Sequence, residues 1–242
     1  MIAAESSARL PGLVAVVPVY NTGARVRRVV DSLLATGCRV IVVDDGSTDG
    51  GPDALKSLPI DVVRFERNRG KGHALIAGFG KAMEAPKTQA VAVLDADGQH
   101  DPAELPPLFT EFTRQGADLM IGSRDFSGGS VPFRSRFGNV VTVFFAGLLL
   151  GRRLNDTQSG YRILSRRFAE TVLREVPGGR YETEMAILAL AIRGGFTVAS
   201  CPIKTIYEPG NATSHFRKGR DSWLIYRTLI GAALKRRRST TT

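Results

Sequence analysis

The sequence predicts an α/β fold in which a mostly parallel central sheet is flanked by helices. Short, nearly continuous Val/Ile runs alternate with segments of helical periodicity through the first half of the chain, the pattern of β-α-β units. Polar and acidic residues collect at the carboxyl ends of three of those runs, where open parallel sheets place their ligands. The 242 residues, 43% hydrophobic and 23% charged, suit one globular domain whose core is large enough to need no disulfide or metal staple.

The runs at 13–20 (LVAVVPVY) and 39–43 (RVIVV) read as buried strands, because a central parallel strand is covered on both faces. Segment 61–65 is a shorter strand, 90–94 (AVAVL) a strong one and 117–121 another. Between the first two, segment 23–36 carries Val26, Val29, Val30, Leu33 and Leu34 as one helical stripe. Segment 71–83 is the next helix, and 102–115 the third. Asp101 supplies a side-chain cap for that third helix and Pro102 suits its first position. Pro106 and Pro107 are expected to break it near its start. The second half is less regular: a loop at 127–130 (SGGS), helices at 134–150, 165–174 and 182–193, a strand or pair of strands at 197–207, and a basic helix at 223–235 before a disordered tail. No repeat and no Gly/Pro-rich linker divides the chain, so 1–242 is read as a single domain, with 208–242 as its basic amphipathic C-terminal segment.

Thirty-three Lys and Arg against 23 Asp and Glu give a net charge of +10. Such an excess fits nucleic acid, an anionic membrane surface or phosphorylated substrates. Cys38 and Cys201 are too few and too scattered for a disulfide framework or a zinc site, so a reducing compartment is expected. The first twelve residues lack the basic and long apolar regions of a secretory signal. The uncharged stretch between Arg136 and Arg152 is shorter than the ~20 residues that span a bilayer.

Chemistry concentrates at the strand ends. The first strand ends in Pro18-Val19-Tyr20-Asn21, the second in Asp44-Asp45-Gly46-Ser47-Thr48-Asp49-Gly50, and the AVAVL strand in Asp95-Ala96-Asp97-Gly98-Gln99-His100-Asp101. Asp49 and Asp101 are expected to act as caps for the next helical segments. In an extended segment residues two apart share a side, so Asp95 and Asp97 can face one hard cation, with the Gln99 amide oxygen two further on. Mg2+ or Mn2+ prefers such an incomplete oxygen shell when substrate phosphates complete it. Gly46-Ser47-Thr48 and Gly70-Lys71-Gly72 could cradle phosphate, although neither matches a dinucleotide or P-loop fingerprint.

The segments VPVYN (17–21), VDDGSTDG (43–50), NRGKGHALIAGF (68–79), LDADGQHDP (94–102), GSRD (122–125) and DTQSGYR (156–162) together resemble the family-2 glycosyltransferases. The resemblance covers roughly residues 13–207 and implies the GT-A nucleotide-diphospho-sugar transferase fold. Within the family, the DAD-x-Q-H and D-x-x-SG-[FY]-R patterns are similar to those of dolichyl- or polyprenyl-phosphate sugar transferases.

Position by position, the resemblance implies that Pro18, Tyr20 and Asn21 line the nucleotide pocket and that Asp45 reads an edge of the base. Lys71 is then a donor-loop residue. Asp95 sits by ribose and metal, while Asp97 and Gln99 bind the metal. Arg124 contacts phosphates, and Ser159, Arg162 and His215 lie on the acceptor side. Thr22 departs from the acidic residue common after the YN pair. His100 neighbours the site, and His73 is structural.

The leading reading is a metal-dependent, inverting glycosyltransferase that moves a sugar from a nucleotide-diphosphate donor to a polyprenyl (dolichyl-type) phosphate, with Arg124, Arg136 and Arg162 neutralising the attacking phosphate. The alternative keeps the donor site and transfers to a saccharide hydroxyl, with Glu184 as base. Glu182 and Glu184 equally suit the N-terminus of a helix through its dipole. A nucleotidyltransferase lacks support because VPVYNTGARVRR does not have the Gly-rich activating loop after the first strand. No nucleic acid partner is expected, since the basic residues are not interleaved with exposed aromatics outside Trp223 and Tyr226. Those two aromatics, with Lys235 to Arg238 behind them, read either as an interfacial helix on anionic lipid or as a terminal helix docked on the core. The expected location is the cytoplasm, peripheral at the inner membrane face.

Overall fold

In the computed structural model, which describes residues 10–124, 159–180 and 182–204, the Val/Ile runs form one seven-stranded sheet. The strands are β1 (Leu13–Val19), β2 (Arg39–Asp44), β3 (Asp61–Arg64), β4 (Ala90–Val93), β5 (Leu119–Arg124), β6 (Arg162–Ser165) and β7 (Val198–Ile203). Their spatial order is β3-β2-β1-β4-β6-β5-β7. The helices are α1 (Arg25–Ala35), α2 (Lys71–Met83), α3 (Leu105–Gln115), α4 (Arg166–Glu175) and α5 (Glu182–Arg193).

Strand alternation sorts the core into two layers. Val14, Val16, Ile41 and Val43 face α2, α4 and α5, where Phe79, Phe168 and Leu188 are fully buried. Ala15, Val17, Val40 and Val42 face α1 and α3, through Val30, Leu33 and Leu108. Gly78 lets α2 ride close on the sheet: a Cβ there would lie 2.3 Å from Val16 Cγ1.

The β1–β2, β1–β4, β2–β3 and β5–β7 pairs are parallel, whereas β6 runs antiparallel between β4 and β5. Strand β6 has no counterpart in the periodicity reading. It is four residues long, and its first residue, Arg162, is a charged side chain only 2% exposed, so neither length nor polarity announces it. Of the strand or pair of strands expected at 197–207, the described residues form one strand, β7. Residues Pro102–Glu104 form a 3-10 turn capped by the Asp101 carboxylate, which accepts from Ala103 N at 2.9 Å. The α-helix proper begins at Leu105 with Pro106 and Pro107 in its first turn, where a missing N–H leaves no intrahelical bond unmade. The expected loop at 127–130 and the helices at 134–150 and 223–235 lie outside the described residues.

Strands β4 and β5 start at one edge of the sheet, and that edge is tied by charged side chains. Asp118, 3% exposed, accepts from Ser165 Oγ (2.8 Å), Arg167 Nε (2.6 Å) and Thr197 N (3.0 Å), joining the starts of β5, α4 and β7. Arg166 donates to the carbonyls of Ala85 and Thr88 at 3.2 and 2.9 Å, ahead of β4. Burial opposes the charged form of Asp118, but Arg167 and the Thr197 amide outweigh it and hold the carboxyl below the usual carboxylate range. Asp118→Ala is expected to destabilise the protein by about 2 kcal/mol, since it leaves a part-buried backbone N–H and hydroxyl without their acceptor, while the exposed Arg167 guanidinium turns to water. The stabilisation is complete above the unfolded pKa near ~4 and disappears as pH falls through the lower folded value. Urea melts from pH 7 to pH 2 should therefore show the gap between wild type and variant closing only at the acid end.

Candidate functional site

At the opposite edge, β1 and β4 diverge. Val16 O accepts from Leu94 N at 3.2 Å, the last bond between the two strands, so the ring nitrogen of Pro18 points to where β4 has already left. The missing N–H costs no ladder bond there. Strands β1 and β4 lead on to strands in opposite directions along the sheet, β2 and β5, so the strand order switches here, the usual ligand position in such sheets. Pro18 and Tyr20 are half-buried at this point. Asn21 takes a positive φ of 50°. Its amide donates to Ser47 Oγ at 3.0 Å, and its side-chain oxygen accepts from Thr48 N at 2.9 Å. Asp49 accepts from Gly23 N and Gly51 N. The loops after β1 and β2 are thus laced into one wall.

Asp45 belongs to that wall but faces inward. Its carboxylate accepts from Asn68 Nδ2 (2.9 Å), Arg69 N (2.6 Å) and Gly70 N (2.8 Å), fixing the approach to α2. Burial pushes its pKa up, against these amides and the Arg180 charge. The glycines expected as a phosphate cradle serve close packing. A Cβ at Gly46 would lie 2.6 Å from the Arg67 backbone, and one at Gly72 would lie 1.9 Å from Thr183 Oγ1. The start of α2 is therefore wedged against residues 178–183, and His73 N donates to Gly179 O at 3.2 Å.

Strand β4 delivers the acidic residues. The strand ends at Val93, and Ala96-Asp97 form a turn, so the two carboxylates do not meet by strand alternation as the spacing predicted. Within that turn Asp97 Oδ1 accepts from Gln99 N at 3.0 Å, and Gly98 adopts φ 80°. Burial, and next the neighbouring Asp95 charge, push the Asp97 carboxyl up to about 6.

Asp95 has its own cation. Lys71 Nζ lies 2.7 Å from Asp95 Oδ1 and 3.2 Å from Glu184 Oε2, joining the end of β4 to the N-termini of α2 and α5. Burial alone would lower the Lys71 pKa, but Asp95 and Glu184 more than offset it and hold it above the usual lysine value. Burial likewise works against ionised Asp95, yet Lys71, then His100 and Arg162, keep its carboxyl below the usual range.

Strand β6 begins at this same edge, because it runs antiparallel between Val93 of β4 and Ile121 of β5, both of which pair with Arg162. Ser159 is fully buried. Arg162 donates to Ser159 O at 2.9 Å and to Glu184 O at 2.6 Å. Its charge is thus directed at two backbone carbonyls and, electrostatically, at Asp95. Those two bonds hold Arg162 at the edge where the acceptor side is expected. Gly160 presses on the acid: a Cβ there would lie 2.3 Å from Asp95 Oδ2. Arg124, half-buried, ends β5 at the same edge.

The next residue, Tyr161, is fully buried with its ring 5.4 Å from that of His100, and its hydroxyl has no hydrogen-bond partner among the described residues. Tyr161→Phe removes a desolvated, unpaired hydroxyl and keeps the ring, so thermal unfolding should show a variant at least as stable as wild type, by up to about 1 kcal/mol.

Two of the expected site residues, Arg136 and His215, lie outside the described residues. The others among them, Pro18, Tyr20, Asn21, Asp45, Lys71, Asp95, Asp97, Gln99, Arg124, Ser159, Arg162 and Glu184, gather along this one sheet edge and the loops and helix ends above it. Gly160, Asn68 and Arg180 were not singled out. Gly160 stood inside the SGY segment, but its contact with Asp95 needs the unforeseen β6. The donor set suits a hard dication: two carboxylates two residues apart, one of them pushed up by burial and next by the other's charge. Among the described residues no group of three or more His, Cys, Asp or Glu could hold an ion, so a ligand would have to complete the shell.

Comparison with known proteins agrees with this architecture. The model of glycosyl transferase family 2 matches residues 14–173. The chain is 31% identical over 200 residues to polyprenol monophosphomannose synthase of Mycolicibacterium smegmatis, covering 78% of this chain and 75% of that protein. It is 29% identical over 215 residues to UDP-N-acetylglucosamine–dolichyl-phosphate N-acetylglucosaminyltransferase of Methanococcus voltae, covering 79% and 84%. Glucosyl-3-phosphoglycerate synthase from Mycobacterium tuberculosis, crystallised with Mn2+, UDP and glucosyl-3-phosphoglycerate, has the same fold, with a TM-score of 0.69 at 19% identity over 93% of this chain and 80% of that one. The chain belongs to glycosyl transferase family 2 and is a glycosyltransferase of the GT-A fold.

Proposed function

We propose that this enzyme transfers a sugar from a nucleoside-diphosphate sugar to a polyprenyl phosphate, using Mg2+ or Mn2+. The observation that carries the reading is the acidic focus at the end of β4, where Asp95, 2.7 Å from Lys71 Nζ, is followed two residues on by Asp97 in a chain of net charge +10. Asp95 and Asp97, with the Gln99 side chain, would hold the ion together with the donor diphosphate. When bound, the ion supplies Lewis-acid stabilisation of the departing diphosphate. Pro18, Tyr20 and Asn21 form the wall against which the nucleoside would lie, and Asp45 stiffens that wall. Lys71 would neighbour the donor.

Transfer makes one bond and breaks one. An acceptor phosphate oxygen attacks the anomeric carbon from the side opposite the diphosphate, which leaves with the bonding electron pair, so the configuration inverts and no proton need move. Arg124 and Arg136 would neutralise the incoming phosphate, with Ser159, Arg162 and His215 on the acceptor side. The state of Glu184 favours an anionic acceptor. Its carboxylate is engaged by Lys71, whereas a hydroxyl acceptor requires a base within reach of its proton. The names of both relatives, which act with polyprenyl or dolichyl phosphate, point the same way.

Among the described residues no helix is long and apolar enough to cross a membrane. The basic segment 208–242 would dock the enzyme from the cytoplasm onto anionic lipid. The test is an assay with labelled UDP-, GDP- and dTDP-sugars, polyprenyl phosphate or a saccharide as acceptor, and Mn2+ or EDTA. A solvent-extractable, Mn2+-dependent product from one donor is expected. A labelled saccharide would move the reading to the hydroxyl acceptor, and undiminished transfer in EDTA would remove the metal from it.

A further inference from the structure

We infer that Lys71 is a resident cation of the carboxylate site, and that Glu184 is the positioning residue that draws it away when a dication binds. The inference rests on the proposed metal site and adds a competitor and a second berth for it.

The Asp95 carboxylate, 26% exposed, is already engaged. Its Oδ1 takes the Lys71 ammonium at 2.7 Å, and its Oδ2 abuts Gly160, where even a methyl carbon would come within 2.3 Å. A dication approaching Asp95 and Asp97 therefore meets an ammonium already seated on the first of them. Two like charges cannot share that oxygen at contact distance without a large electrostatic penalty. Moving Lys71 into solvent is no easy remedy, because its side chain is only 17% exposed and its start is locked by the α2–α5 wedge.

Glu184 offers the remedy. Its carboxylate, 13% exposed, stands 3.2 Å from the same ammonium, and both of its oxygens lie at that distance. The lysine can pivot onto Glu184 alone with its charge still paired, freeing Asp95 Oδ1. Glu184 itself is held through its backbone: its carbonyl accepts from Arg162 at 2.6 Å, and it lies in the first turn of α5, where the dipole favours an anion. Ion loading at the donor side is thereby tied to a tighter grip of α2 on α5. The dication alone therefore binds weakly, and the negative charge of a diphosphate is needed to complete the exchange.

The test is a Mn2+ titration without nucleotide, read by loss of the free-ion paramagnetic resonance signal. It compares wild type, Lys71→Met, Glu184→Gln and the double variant, with Asp97→Ala as the control for the site. Lys71→Met should bind Mn2+ about tenfold more tightly, and Glu184→Gln about tenfold more weakly, in line with one partly buried charge. In the Lys71→Met background, Glu184→Gln should change affinity by less than about twofold, because Glu184 acts through the lysine. Lys71→Gln, smaller in its effect on packing, should shift in the same direction as Lys71→Met and serves if the methionine variant does not fold. Equal or weaker binding by both Lys71 variants would overturn the inference. So would the same loss from Glu184→Gln in both backgrounds, the mark of a simple long-range charge effect. If no variant binds Mn2+ in a manner lost with Asp97→Ala, even with UDP or GDP present, the metal-site reading itself falls and the inference falls with it.

Discussion

Asp97→Ala should lower kcat/KM for sugar transfer by about a thousandfold or more, the scale seen when a group that stabilises developing negative charge is removed. Asp97 need not touch the sugar to have this effect. Its carboxylate sits in the turn after β4, faces the charge of Asp95, and is pushed up to about 6 by burial and that neighbour. A group held at such an electrostatic cost is relieved by a bound cation, so its deletion removes donor oxygens from the site. The fold should survive, because the one hydrogen bond described for the Asp97 side chain is to Gln99 N within its own turn. Calorimetry with UDP- and GDP-sugars in Mn2+ should show binding by wild type and its loss in the variant, with the melting temperature shifted by no more than a few degrees. Retained Mn2+-dependent binding would place the ion elsewhere.

Gly160→Ala should be nearly as damaging, through a residue with no functional group. A methyl at this position would meet Asp95 Oδ2 at 2.3 Å and Asp95 Cγ at 2.9 Å. Gly160 lies just ahead of β6, a strand hydrogen-bonded on both sides, so the carboxylate moves rather than the backbone. Displacing Asp95 by about 1 Å breaks its register with Lys71 and Asp97, and misplacement of that size can cost about a hundredfold in turnover. Secondary structure by circular dichroism should be unchanged. A crystal structure of the variant should show the Asp95 side chain rotated away from residue 160. Activity within a few-fold of wild type would mean that Asp95 is free to adjust and does not set the site.

The first half of the fold was legible because its physics is local. Strands β1, β2 and β4 are mostly apolar on both faces, and α2 and α5 occupy the expected segments 71–83 and 182–193. The location of the site was legible as well, since parallel strands must end at a common edge. What the sequence hid depends on neighbours far along the chain. Strand β6 is a strand because β4 and β5 leave a slot for it, and Arg162 tolerates burial there because two carbonyls and Asp95 receive its charge. The partnership of Lys71 with Glu184 joins residues 113 positions apart. No spacing rule announces it. Asp97 stands in a turn after β4, where an extended segment was expected.

The ties of Asp118 and Arg166 at the starts of β4 and β5 place robustness and chemistry on opposite rims of one sheet. Each rim can then be altered with little effect on the other. Thermostability engineering aimed at the tethered rim should leave turnover intact, and specificity engineering around the site can draw on a reserve of stability it does not itself supply. Such a division of labour would let one scaffold try many donors and acceptors during evolution without first risking collapse.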